Sequence, residues 1–268
     1  MKLFIIALKG TEHPRMPQCA RDAKACAELY SGAEVVAITD FGEPGWVDAE
    51  PYCERAYAFR KEFIAACNTE CRQLPCSMRW FIIEEYIRAN AINEPIMQMD
   101  WEVMVFGNLE EHFRKLSVTA GDIGDAVDKN IPPPRNRTVP YWVSNLSAIR
   151  FYTAMLEAQA KSRTPLFTTH KVGSDMNWWE HARAQGGYTP VDISTEIGDS
   201  IFDLNIILEL DKYESTDGAK KVFWKEGKPY FKRRSDGGMV KAVALHCFWL
   251  WRAKTSDILK KATSGYSD

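Results

Sequence analysis

The sequence predicts an α/β fold in which a mostly parallel central sheet is flanked by helices, with a small β-hairpin element toward the C-terminus. Three observations carry that reading. The chain opens with KLFIIALK, a helical stretch from Cys19 to Tyr30 and then AEVVAITD, a β-α-β order that favours parallel pairing with the helix on one sheet face. Strand-like and helix-like segments keep alternating past residue 175. Late in the chain, KVFWKEGKPYFKRR reads as two strands around a Gly-containing turn.

The 268 residues are 46% apolar and 26% charged, an ordinary globular composition that suits one domain with elaborations. A formal charge of −2 gives no global attraction to nucleic acid or anionic membrane. At the N-terminus, MKLFIIALKGTEHP has an apolar run too short for a signal-peptide core or a membrane span, so it reads as the first buried strand of a cytoplasmic protein. Cysteines stand at 19, 26, 53, 67, 71, 76 and 247, odd in number and without CxxC spacing. They read as free thiols in a reducing compartment, packed as small hydrophobes.

After the second strand, which closes on Asp40, comes a Pro/Gly-rich loop. Apolar periodicity then predicts helices from about Ala56 to Arg72 and from Ser77 to Asn90. PIMQMDWEVMVF follows as a third strand. NIPPPRNRTVP, residues 130 to 140, is read as an extended loop because its prolines lack donors and fix φ. YWVSNLSAIRF runs from a short strand or turn into a helix from about Ala148. LFTTHKVG is a strand or loop, a helix begins near Asp175, and VKAVALHCFWLW is a late strand.

Asp100 and Glu102 lie in the apolar run NEPIMQMDWEVMVFGNL. In a continuous strand they would project to one face while Trp101 points away. Two carboxylates side by side call for a compensating charge. A divalent cation supplies it, and carboxylate oxygens suit Mg²⁺ or Mn²⁺. A solvated pair at an exposed strand end is the alternative.

Context adds a resemblance. RWFIIEEYIRANAINEPIMQMDWEVMVFGNL resembles the central signature of GT-A-fold glycosyltransferases, an Arg-bearing helix leading into a strand with an Asp-x-Asp motif, here Asp100-Trp101-Glu102. PYWVSNLSAIRF, KVGSDMNWWEHARAQGG, IFDLNI and KAVALHCFWLWRAK resemble later segments of a bacterial and viral branch, in the same order. The resemblance implies a single GT-A-like domain over residues 1–268 with a Rossmann-like sheet, residues 1–109 binding nucleotide and 110–268 binding sugar and acceptor. It implies a metal site of Asp100, Glu102 and His246 holding Mn²⁺ or Mg²⁺. Donor contacts would come from Ala7, Leu8, Asp40, Arg79, Trp101, Asn145, Ser147 and Lys254, with Arg252 able to replace Lys254. Asp175 would be the catalytic group, either deprotonating the acceptor hydroxyl or orienting the donor sugar.

The implied reaction moves a sugar from a nucleotide-diphosphate sugar, a UDP-sugar first, to an acceptor hydroxyl, and the motif layout leans toward retention. The metal, Arg79 and Lys254 or Arg252 would neutralise charge on the leaving diphosphate. Trp142, Trp178 and Trp179 are candidate stacking faces, with core packing the alternative. MDWEV and GDSIFD also resemble motifs of haloacid-dehalogenase phosphohydrolases, which would make Asp100 a nucleophile. A nucleotide-sugar-binding domain with weakened chemistry is a further alternative. FKRR, residues 231 to 234, reads as a solvated turn and not a nucleic-acid patch.

Overall fold

The computed structural model describes residues 1–9, 16–67, 74–115, 121–125, 127–128, 135–136, 142–162, 175–193, 195–203, 205–247 and 254–268. In chain order the strands are β1 (Lys2–Ala7), β2 (Glu34–Thr39), β3 (Val47–Asp48), β4 (Ile96–Met99), β5 (Val103–Val105), β6 (Ile123–Asp125), β7 (Val127–Asp128), β8 (Arg135–Asn136), β9 (Trp142–Val143), β10 (Pro190–Asp192), β11 (Ser200–Phe202), β12 (Ser215–Thr216), β13 (Ala219–Lys220), β14 (Phe223–Lys225), β15 (Lys228–Lys232) and β16 (Met239–His246). The helices are α1 (Met16–Tyr30), α2 (Glu54–Cys67), α3 (Leu74–Ala89), α4 (Leu109–Lys115), α5 (Ser147–Ser162), α6 (Asp175–Ala184) and α7 (Thr255–Thr263). The chain forms two compact units, interleaved in sequence. The first takes Met1–His13, Val36–Gln98 and Thr119–Val191, and the second Pro14–Val35, Met99–Val118 and Asp192–Asp268.

The first unit is built on a seven-stranded sheet in the order β10-β6-β9-β4-β1-β2-β3. The expected β-α-β opening is present: β1 and β2 are neighbours with α1 between them in sequence, and β2 pairs with β3 in parallel. Antiparallel pairs of β9 with β4 and β6 make the sheet mixed. Alternate residues of β1 and β2, Phe4, Ile6, Val36 and Ile38, share a buried cluster with Phe59 of α2 and Phe81 of α3, as the two-residue strand period requires. The Phe59 and Phe81 rings stack at 5.0 Å. Helix ends follow local chemistry: Pro75 sits one residue inside α3, where its missing N–H is not needed. Asn145 Oδ1 accepts the Ser147 N–H at 3.1 Å to cap α5.

The expected third strand is not continuous. β4 stops at Met99, β5 starts at Val103, and the Val103 N–H donates to the Asp100 carbonyl at 3.0 Å, closing a turn over the residues between. The turn releases the chain from the first unit's sheet, and β5 pairs with β16 of the second. Of the loop expected over residues 130 to 140, Arg135–Asn136 form β8, paired with β7. The remainder, like LFTTHKVG, lies outside the described residues.

In the second unit β16 pairs with β11 in parallel and with β15 and β5 antiparallel. The expected hairpin is β14–β15, closed by the Lys225–Lys228 pair. Its turn residues, Glu226 and Gly227, have φ of 51° and 71°, the doubly left-handed turn that matches strand twist. A Cβ on Gly227 would lie 2.3 Å from the Ala262 carbonyl oxygen, so glycine is required there on two counts. Trp224 of β14 and Asp268 exchange hydrogen bonds at 2.8 and 3.1 Å, covering the edge of the sheet. Helix α7 has no counterpart in the sequence reading; Thr255 and Ser256 at its start both donate to Asp22 of α1 at 2.8 Å. Cys19, Cys26, Cys53, Cys76 and Cys247 form no disulfide and all but Cys76 are buried, and the Cys26 thiol donates to the Val105 carbonyl at 2.7 Å. Burial pushes its pKa up, as an inert packing role requires.

His112 of α4 is 3% exposed, its Nδ1 3.4 Å from Ser200 Oγ. Burial, with Lys115 and Lys241 nearby, lowers its pKa from 6.5 to about 4. The unfolded chain therefore takes up this proton at higher pH than the folded one. Stability that is complete above pH 6.5 should be lost as the pH falls toward 4. Urea unfolding across this window should show the loss, and His112→Asn should flatten it; an unchanged slope in the variant would remove His112 as the cause.

Candidate functional site

The turn at residues 100 to 102 delivers Glu102 into the second unit's interior. Its carboxylate Oε1 lies 3.1 Å from Nε2 of His246, 144 residues away in sequence, and both residues are buried. Register explains the meeting. His246 pairs with Val103 across β16 and β5, and the Cys247 N–H donates to the Glu102 carbonyl at 3.0 Å.

Behind this pair is a second, deeper one. Asp203 and Lys220 are 0% and 1% exposed, with Lys220 Nζ 2.6 Å from Asp203 Oδ1. The other oxygen, Oδ2, accepts the backbone N–H of His246 at 3.3 Å. Lys220 Nζ also lies 4.9 Å from the centroid of Phe231 and 5.3 Å from that of Tyr213, and Glu209 Oε2 is 3.8 Å away. Asp203 is the acid of IFDLNI, so the sequence flagged its segment. Lys220, in the polar run DGAKK, carried no signal.

Asp100 and Trp101 are half-buried in the same turn. The strand reading, which set Asp100 and Glu102 on one face, does not hold, because these residues turn and are not extended. Among the described residues no group of three His, Cys, Asp or Glu side chains is disposed to hold a metal ion. The structure thus unites Glu102 with His246 and does not complete a trio with Asp100. Lys254 is exposed at the N-cap of α7, and Arg252 lies outside the described residues.

In the first unit, Asp40 follows β2 and its Oδ1 accepts the Lys9 N–H at 2.8 Å, tying it to the end of β1, where Ala7 and Leu8 are buried. The carboxyl ends of neighbouring strands are where open α/β sheets bind ligands. Arg79 and Asp175 form a buried ion pair, Nη2 to Oδ2 at 2.6 Å, while Asp175 Oδ1 accepts the Met176 N–H at 3.1 Å. Both carboxylate oxygens are therefore engaged. Around them Tyr152 stacks on Trp179 at 3.9 Å and 3°, and Trp80 meets Trp179 edge-on at 4.8 Å.

Trp142, Trp178 and Trp179 are all buried, so they pack the interior and offer no open stacking face. Asn145 and Ser147 are exposed, with Asn145 Nδ2 also donating to Asp122 Oδ1 at 3.0 Å. The basic run, expected as a turn, ends a strand first: Lys232 closes β15 and pairs with Glu214, Arg233 bridges to Tyr213 and pairs with Glu196 and Asp236, and the turn starts at Arg234, which bonds the Tyr213 carbonyl.

No protein-family model matches the sequence, and no curated protein matches it. Solved structures similar in chain path include glycosyltransferases. Mouse xyloside xylosyltransferase 1 in its apo form is 11% identical, covers 75% of this chain and 88% of its own, and has a TM-score of 0.49. A glycosyltransferase involved in glycosylation of the PBCV-1 major capsid is 15% identical over 97% of this chain and 100% of its own, at 0.47. PaToxG glycosyltransferase is 11% identical over 69% of each chain, at 0.41. In the described residues no helix is long and apolar enough to cross a membrane.

Breaking one side of the Asp203–Lys220 pair strands a buried charge, which costs about 3–5 kcal/mol. Lys220→Met should therefore destabilise the protein by that amount in urea unfolding, and Asp203→Leu combined with Lys220→Met should recover most of the loss. Additive losses in the double variant would refute the pairing argument.

Proposed function

We propose that the protein is a metal-dependent glycosyltransferase of GT-A type that moves a sugar from a nucleotide-diphosphate sugar to an acceptor hydroxyl. The observation that carries this reading is the buried contact of Glu102 with His246, which joins the Asp-x-Glu motif to the late His in the way the sequence resemblance implies. A carboxylate and an imidazole are an oxygen and nitrogen donor set suited to Mn²⁺ or Mg²⁺. Mg²⁺ is commonly held by one or two carboxylates and completes its shell with substrate phosphates. On this reading Glu102 and His246 are the protein ligands that hold the cation. When bound, the ion would neutralise charge on the leaving diphosphate.

The chain's own residues set up the rest. Asp203 fixes the His246 backbone, and the turn fixes Glu102, so the two donors are preorganised. Lys254 is the proposed phosphate contact of the second unit, and Trp101 lies between the two acids of the motif. In the first unit, Ala7, Leu8 and Asp40 are assigned to the nucleoside, uridine first, and Asn145 and Ser147 to the sugar. Asp175 has both oxygens engaged by Arg79 and Met176; it is assigned to holding Arg79 in place and orienting the donor, in preference to proton abstraction. The lean toward retention rests on the motif layout. The phosphohydrolase alternative would use GDSIFD as a metal motif, and Asp203 of that motif is engaged by Lys220.

Mn²⁺ with UDP or a UDP-sugar should raise the melting temperature of the wild type, since a ligand selective for the folded state stabilises it by mass action. Glu102→Ala and His246→Ala should remove the Mn²⁺-dependent part of that shift and lower donor hydrolysis or transfer on the order of 10²-fold. Undiminished Mn²⁺-dependent binding in both variants would sink the assignment. Binding without turnover would instead identify a nucleotide-sugar-binding domain.

A further inference from the structure

The second unit contains a cleft of about 660 Å³ on a different part of β16 from the Glu102–His246 pair. Its floor includes Met239, Lys241 and Val243, alternate residues that share one strand face. Lys241 precedes His246 by five residues, roughly 16 Å along a strand. In register, Ser200 of β11 stands opposite Lys241 on one side and Tyr230 of β15 on the other. Lys241 is thus at the centre of the floor, between a hydroxyl and a phenol ring.

Two observations point to something that binds here. Lys241 is half-buried and makes no ion pair among the described residues. Burial and the neighbouring Lys228 depress its pKa, while Glu111, the acid that draws it the other way, is in contact with Lys115 at 2.8 Å. A partly desolvated cation without a counter-charge is unfavourable until an anion arrives. Independently, His112 in the cleft wall is 3% exposed, and its Nε2 has no hydrogen-bond partner among the described residues. Asp199, exposed at the rim, and Glu111 repel a polyanionic strand, so the floor suits a single small anionic group.

We propose that this cleft binds a small ligand through an oxyanion, phosphate or carboxylate, seated on Lys241 beside Ser200. The site uses neither sugar nor metal, so it stands or falls separately from the transferase reading. The test is the melting temperature in inorganic phosphate and, separately, in acetate, each against chloride at matched ionic strength. A rise with one of the two anions in the wild type identifies which chemistry is bound. That rise should vanish in Lys241→Met, persist in Lys241→Arg, and persist in Lys225→Met, a lysine of the same sheet outside the cleft. An equal rise in Lys241→Met and the wild type, or no rise with either anion, would overturn the proposal. Should Lys241→Met fail to fold, Ser200→Ala takes its place and should diminish the rise; an undiminished rise there overturns it.

Discussion

The second unit depends on a charge pair that water does not reach. Asp203 and Lys220 are essentially unexposed, and neither could be buried alone without a penalty of several kcal/mol. Mutual attraction in a weakly screening interior offsets that penalty only when the remaining donors and acceptors are also satisfied. They are: Asp203 Oδ2 takes the His246 N–H, and the ammonium lies against the faces of Phe231 and Tyr213. The pair therefore fixes more than itself. It joins β13 to the end of β16, and the end of β16 is where His246 must be held to face Glu102.

The first unit solves a similar problem differently. Arg79 and Asp175 are also a buried ion pair, but they sit beside a wall of stacked and edge-on aromatic rings. Tyr152, Trp80 and Trp179 contribute large buried area and definite geometry. Flat rings leave few ways for α3, α5 and α6 to slide past one another, so the Arg79 fork is aimed by helix packing. The oxyanion it meets is the Asp175 carboxylate, 2.6 Å away, which a planar fork of donors suits.

What the sequence made legible was local. The β-α-β opening, the helices α2, α3, α5 and α6 within a few residues, and the Glu-Gly hairpin all follow from periodicity and turn chemistry acting over short spans. The turn at Asp100–Glu102 was not legible, because the apolar residues on both sides favour strand and nothing local reports that the partner of β5 lies some 140 residues later. Helix α7 was missed for a related reason: its anchor is Asp22, more than 230 residues away. Of the candidate site, the sequence put the motif acids and the late His forward by type and order. Their meeting depends on the register of β5 against β16, which no spacing in the chain encodes. Lys220 was invisible because a lysine in a polar run reads as solvated until the tertiary fold closes over it.

The broken strand answers why two acids lie one residue apart in an apolar run. Had the chain stayed extended, both carboxylates would have shared one face and one like-charge repulsion. Turning between them separates their environments: Asp100 stays half-buried while Glu102 goes inside to meet an imidazole. Inside, its Oε1 lies 3.1 Å from His246 Nε2, a contact that the turn makes possible. At the other end of the same strand Lys241 is half-buried between Ser200 and Tyr230, so β16 alone positions polar residues at two separate places in the unit.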